Sequence, residues 1–254
     1  MSALLEIRRV ARQFGGVAAL ADVSFRVSAG SVVGVIGPNG SGKTTLMNIV
    51  SGVDAPSAGV VLFDEDPVQG RAAHALTRLG IARTFQHIRL VPHLTAAQNV
   101  ALALHDPEAG LADILLRLPR LRRIERQRHE RAVALLDRVC IGARAASPAG
   151  DLSYGDRRRV EIARALASGP RLLLLDEPAA GMNHTEKRAL RGLIAGLRRD
   201  GITVVLVEHD MDLVMGVCDE IQVLNQGRLI ASGAPRAVRN DPRVIEAYLG
   251  AEDA

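Results

Sequence analysis

Apolar and polar positions partly alternate over Leu4–Val10 and Val23–Val27, the period of half-buried strands. Ala29-Gly30 turns the chain into Ser31–Ile36, a short apolar run rich in β-branched residues that predicts a buried strand. Gly59–Phe63 predicts another, ahead of the polar stretch Asp64–Gly70. From about Thr95 to Gly142 the period becomes helical. Arg120–Val139 carries the densest charge there, with Leu121, Ile124, Ala132, Leu135, Leu136 and Val139 at mostly helical spacing. A solvated helix with i,i+4 charge pairs accounts for that pattern better than a basic stripe for nucleic acid or lipid headgroups.

From Asp151 onward strand and helix alternate. Tyr154–Ser168 predicts a helix, Arg171–Leu175 a strand and His184–Arg199 a helix. Ile202–Val207 predicts a strand, Met211–Gly216 a short helix, and Glu220–Leu224 a strand that turns at Asn225-Gln226-Gly227 into Arg228–Ala231. Such alternation predicts an α/β fold with a mainly parallel sheet. The helical stretch near 88–150 then reads as an insertion into one core.

Composition narrows the class. The chain has 254 residues, 48% apolar and 24% charged, enough to bury a core. Net charge is +4, and only Lys43 and Lys187 are lysines. Aromatics make up 2%, which argues against nucleic-acid recognition by stacking. Two cysteines, Cys140 and Cys218, are too few for a disulfide framework or a zinc site. Met1–Arg12 has no basic-then-apolar signal pattern, and no apolar run nears the roughly 20 residues that span a bilayer. Any service to a membrane is therefore expected from the soluble side.

Gly37-Pro38-Asn39-Gly40-Ser41-Gly42-Lys43-Thr44 fits GxxxxGK[ST] between a predicted strand and a predicted helix, Thr44–Ser51. The glycines let successive N–H groups, through Thr45, curl around phosphate oxygens, and the helix N-terminus adds partial positive charge. Lys43 suits the β- and γ-phosphates, and the Thr44 hydroxyl suits Mg²⁺. Leu172–Leu175 ends in Asp176-Glu177-Pro178, two carboxylates at the carboxyl end of a strand, where open α/β sheets bind ligands. Asp176 suits the metal shell, and Glu177 suits a general base that polarises water.

Leu152-Ser153-Tyr154-Gly155-Asp156, followed by Arg157–Leu166, resembles the LSGGQ signature of ATP-binding cassette (ABC) proteins. The order agrees: phosphate loop, Gln86 after a strand, signature, acidic strand, then His209 after the next strand. The resemblance implies a P-loop NTPase core (1–87 and 151–254) with an antiparallel β-subdomain and an inserted α-helical subdomain (about 88–150), forming one nucleotide-binding domain over 1–254. It implies that Gln86 senses Mg²⁺ and the γ-phosphate and links to a transmembrane partner. It implies that His209 contacts the γ-phosphate and attacking water, and that Phe14 stacks on adenine. Ser153 and Gly155, flanked by Tyr154 and Asp156, would face ATP held by an opposite subunit, and Ala179–Asn183 resembles the D-loop. Tyr154 and Asp156 depart from the signature, Asn183 stands where Asp is usual, and Phe14 where Tyr is commoner.

Leu152–Arg164, Ala82–Leu90 and the tail Asn240–Gly250 look like the branched-chain amino acid uptake ATPases. The lipopolysaccharide-export ATPases share Arg158–Arg164 but generally follow the second residue of the signature with two glycines, unlike Tyr154 here. One phosphate loop and one signature cannot complete the same site in a single chain under the family geometry. The resemblance thus implies head-to-tail pairing with a copy or a paralogue, ATP and Mg²⁺ as ligands, and integral membrane permease subunits as partners. A solute-binding protein would act indirectly, and the subunit would lie peripherally on the cytoplasmic face of the inner membrane, with no nucleic acid. The rivals are an ABC ATPase acting on DNA or ribosomes, disfavoured by the single cassette and the lack of a long coiled coil, and a nucleotide-binding regulator, disfavoured by Glu177 and His209.

Overall fold

The computed structural model describes residues 3–86, 88–104 and 119–249. Residues 105–118 of the expected helical stretch, His87 of the 82–90 segment and Gly250 of the tail lie outside the described residues. The chain forms two compact units, one of residues 1–83 and 171–254, the other Thr84–Pro170. Gln86 and the helix that follows Ser153 belong to the second of these units.

The first unit holds two sheets. Strands β1 (Ala3–Phe14), β2 (Val17–Ser28), β4 (Ala58–Phe63) and β5 (Asp66–Pro67) make an antiparallel sheet in the order β2-β1-β4-β5. The second sheet runs β10-β9-β3-β8-β7-β6, from β3 (Val32–Ile36), β6 (Ile81–Arg83), β7 (Leu172–Asp176), β8 (Thr203–Val207), β9 (Glu220–Asn225) and β10 (Arg228–Gly233). All its pairings are parallel except the β9–β10 hairpin. Every residue of β3, β7 and β8 is buried, which is why these strands read as continuous apolar runs rather than alternations. Each leucine of Leu172–Leu175, 0% exposed, contributes about 1.5–3 kcal/mol through its removal from water.

Period 2 divides the strands between faces. Val33, Val35, Leu172, Leu174, Val205 and Val207 join one core cluster with Leu46, Met47, Ile49 and Val50 of α1 (Lys43–Val50) and with the antiparallel sheet. Behind β3, a Cβ on Gly34 would lie 3.0 Å from Cys218 Sγ and 3.2 Å from Val214, so α7 (Met211–Val217) seats there because residue 34 is glycine. This unit also contains α2 (Ala73–Leu79), α6 (His184–Arg199), α8 (Pro235–Arg239) and α9 (Pro242–Leu249).

The second unit is helical, with α3 (Ala96–Ala101), α4 (Pro119–Arg138) and α5 (Tyr154–Leu166). Thr95 opens α3 with a capping box to Gln98. Fully buried Asn99 holds the preceding loop, accepting from Val91 N–H at 2.9 Å and donating to the Val91, Leu94 and Thr95 carbonyls. On α4, Ala132 and Leu136 are buried while Arg126 and Glu130 form an exposed i,i+4 pair, as the charge pattern predicts.

Candidate functional site

Within the first unit, β3 runs into the phosphate loop and the loop into α1. Gly42 caps the helix with a left-handed φ of 103°, and no side-chain hydrogen bond caps that end. The first N–H groups of a helix lack intrahelical partners, so this end offers donors and positive dipole to an anion. Two glycines are dictated by close approach: a Cβ at Gly37 would meet Leu224 O at 2.0 Å, and one at Gly42 would meet Ala19 O at 2.6 Å. The β9–β10 turn braces the loop through Gly227 N–H to Ser41 O at 3.0 Å. Tyr248 of α9 buries its hydroxyl beside the Gly37 backbone, and burial pushes the phenol up.

Lys43 is 9% exposed, and its Nζ donates to Gly37 O at 2.7 Å, Pro38 O at 2.8 Å and Ser41 Oγ at 3.4 Å. Burial lowers its pKa, while Glu177 and then Asp176 oppose that shift. The ammonium is thus curled under the loop within the field of both strand-end carboxylates. Asn39, Gly40 and Thr44 are exposed, and Thr45 is half-buried.

β7 carries the acidic pair to the same end of the sheet. Asp176 is buried and ion-paired to Arg83 at 2.8 Å. Glu177 turns at a left-handed φ of 45°, its N–H donating to Val207 O at 2.9 Å. A non-glycine residue in that region is strained and is held there by its surroundings. β8 then delivers Glu208, which is buried, and His209, whose side chain is 66% exposed.

Asn183 caps α6 in a capping box with Glu186, a role in which Asn equals Asp. Lys187, the second lysine, pairs with Asp210 at 2.5 Å, and Asp210 also caps α7 through Leu213 N–H. Both lysines therefore serve this end of the sheet. Phe14 ends β1 at a two-residue Gly15-Gly16 turn, with both glycines at positive φ. Phe14 is 47% exposed, and the Arg12 guanidinium lies 4.4 Å from its ring centroid.

In the second unit, Ser153 caps α5, its Oγ accepting from Asp156 N–H at 3.1 Å. A hydroxyl that accepts here retains its proton for another acceptor. Tyr154 is 37% exposed and Gly155 is buried. Gln86 is exposed, and its carbonyl is held by Arg158 Nη2 at 2.9 Å. Arg158, 0% exposed, also donates through Nη1 to Phe85 O at 2.6 Å and to Glu161 at 2.8 Å. Glu161 in turn accepts from Arg89 N–H at 3.0 Å, and burial raises its pKa against these contacts. Arg83, Arg158, Glu161 and Glu208 are supports that motif reading does not reveal.

A phosphate loop, a strand-end carboxylate pair and a following histidine on one parallel sheet define the class: a P-loop nucleotide-binding ATPase. The ABC transporter family matches residues 20–180, and a second family, the branched-chain amino acid ATP-binding cassette transporters, matches residues 228–254. The chain is 42% identical over 249 residues to the high-affinity branched-chain amino acid transport ATP-binding protein LivG of Escherichia coli, covering 97% of this chain and 98% of that protein. A solved ATP-binding cassette of an ABC transporter in its ADP conformation superposes with a TM-score of 0.86 at 30% identity, over 98% of this chain and 100% of that one. A dimeric cassette in a post-hydrolysis state bound to ADP and Pi superposes with a TM-score of 0.75 at 28% identity, over 91% and 99%. The chain belongs to the ABC transporter ATP-binding family. Among the described residues, no helix is long and apolar enough to cross a membrane.

Proposed function

We propose that this chain is the ATP-hydrolysing subunit of a membrane transporter that imports branched-chain amino acids. The observation that carries this reading is its near full-length likeness to LivG, joined to the separate match of residues 228–254. In this reading permease subunits supply the membrane path, a solute-binding protein delivers cargo, and the subunit sits peripherally on the cytoplasmic face.

In this reading each site residue takes one part of the work. Main-chain N–H groups between Gly37 and Thr45, Pro38 having none, and the Lys43 ammonium bind the phosphates of ATP, and Phe14 offers the exposed part of its ring to adenine. A hard cation takes oxygen donors, and the exposed Thr44 hydroxyl and the Asp176 carboxylate fit one that also binds phosphate oxygens. Thr44 and Asp176 would hold Mg²⁺, with Gln86 as its sensor, and the bound ion would supply neutralisation of phosphate charge. Glu177 takes the proton of the attacking water, and His209 and Lys43 stabilise charge on the γ-phosphate oxygens. Ser153, Tyr154, Gly155 and Asp156 serve the nucleotide of a second subunit, a copy or a paralogue, and the dimeric ADP-and-Pi cassette supports such pairing.

Glu177→Gln tests the central role. It keeps the shape of the side chain and removes the base. Retained ATP binding, an ATP-dependent dimer and near-complete loss of phosphate release are expected. Hydrolysis at the wild-type rate overturns the assignment.

A further inference from the structure

Glu208 performs no chemistry in this reading, yet it is 1% exposed. A carboxylate is retained in such a place only where donors offset its desolvation. Its donors come from two separate loops. Oε1 accepts from Ala179 N–H at 2.7 Å, in the segment leaving Glu177. Oε2 accepts from His209 N–H at 3.2 Å and Asp210 N–H at 3.4 Å, and His209 Nδ1 lies 3.9 Å away. Burial pushes the carboxyl up, and the N–H donors with His209 pull it back.

We propose that Glu208 is a positioning residue that ties the loop following Glu177 to the loop carrying His209, so that the 179–183 segment and the switch histidine move together. The proposal rests on the roles given above to Glu177 and His209. The residue type suits the task, because a carboxylate accepts on both oxygens. An amide cannot. Whichever way it is turned, its NH₂ faces an N–H donor, so Glu208→Gln keeps the volume but breaks one side of the bridge.

The test uses the full chain as Glu208→Gln, Glu177→Gln and the double variant. Glu208→Gln is expected to fold and melt cooperatively, somewhat below the wild type because its buried NH₂ meets an N–H donor, and to bind a fluorescent ATP analogue with an unchanged Kd. Its kcat is expected to fall about tenfold or more with KM unchanged, the pattern of an interaction realised only in the transition state. The double variant is expected to form less ATP-dependent dimer than Glu177→Gln alone. Turnover by Glu177→Gln itself overturns the site reading and not the bridge. An inactive Glu177→Gln beside a Glu208→Gln of wild-type kcat overturns the bridge. Amide hydrogen exchange in the unmodified protein checks it without any variant: Ala179 N–H is expected to be protected, and exchange at the rate of an open loop overturns the proposal.

Discussion

Arg83 Nη2 donates to Asp176 Oδ2 at 2.8 Å, and both side chains are 7% exposed. The other arm of the guanidinium, Nη1, reaches Asn48 Oδ1 at 2.7 Å and Ser51 Oγ at 2.9 Å, on α1 and at its C-cap. One planar fork therefore ties the strand-end carboxylate to the helix that starts at the phosphate loop. Removing one partner of a buried pair leaves the other charge uncompensated, at a cost of about 3–5 kcal/mol. Arg83→Met is expected to lose that much in urea unfolding, with an unchanged m. Arg83→Lys is expected to fall between, since a point charge cannot serve three acceptors in a plane. A loss below about 1 kcal/mol for Arg83→Met, the scale of an exposed pair, would show that the fork carries no structural weight.

Arg158 and Glu161 make the same argument in the helical unit. Arg158→Met alone strands a buried Glu161 and releases the Phe85 and Gln86 carbonyls. Arg158→Met with Glu161→Met replaces the pair by apolar side chains of similar volume, which is often close to neutral. The single change is therefore expected to cost about 3 kcal/mol or more, and the double change clearly less. A double-mutant cycle by denaturant unfolding measures the coupling, and simple additivity of the two single changes would refute it.

The motif residues were legible because their chemistry needs fixed types in fixed order: glycines where the backbone must curl, Lys43 and Thr44 at its end, carboxylates at the end of an apolar strand. The supports were not. Arg83 and Asp176 lie 93 residues apart, and nothing local marks them as partners. Arg158 sits in a run of three arginines, the usual mark of a solvated face, yet it is fully buried. The packing of α5 with α3 and α4 is likewise not marked by the strand–helix alternation from Asp151, which carries no information on which helices meet. The short helices α2, α8 and α9 carry too few turns to display a period.

Glu6, on the antiparallel sheet, accepts from Arg8 at 2.6 Å and from Arg26 at 2.7 Å, and these bonds hold its carboxyl at about 2 against an ordinary 4.5. A depressed carboxyl contributes stability that is present above its unfolded pKa and lost as pH falls through the folded one. The Glu6 contribution is thus expected to be intact above pH 4.5 and to fade toward pH 2. Carboxyl NMR titration checks the midpoint, and Arg8→Ala, which removes the larger cause, is expected to move it upward. A Glu6 midpoint that stays put in Arg8→Ala would remove the ion pairing as the cause.

Gly40 and Gly42 separate conformational strain from steric demand in the phosphate loop. Both have positive φ, 75° and 103°. A Cβ at Gly40 meets nothing within 4 Å, whereas one at Gly42 meets Ala19 O at 2.6 Å and Leu20 Cδ2 at 2.7 Å. Gly40→Ala therefore pays only for a left-handed alanine, about 1–2 kcal/mol, and the loop can keep its course. Gly42→Ala must in addition push the start of α1 away from β2, which turns the first N–H groups of the helix and Lys43 off the phosphates. ATP binding is expected to weaken modestly in Gly40→Ala and to be lost in Gly42→Ala, read by titration with a fluorescent ATP analogue alongside thermal melting. Equal affinities in the two variants would show that the contact with Ala19 does not set the geometry of the loop.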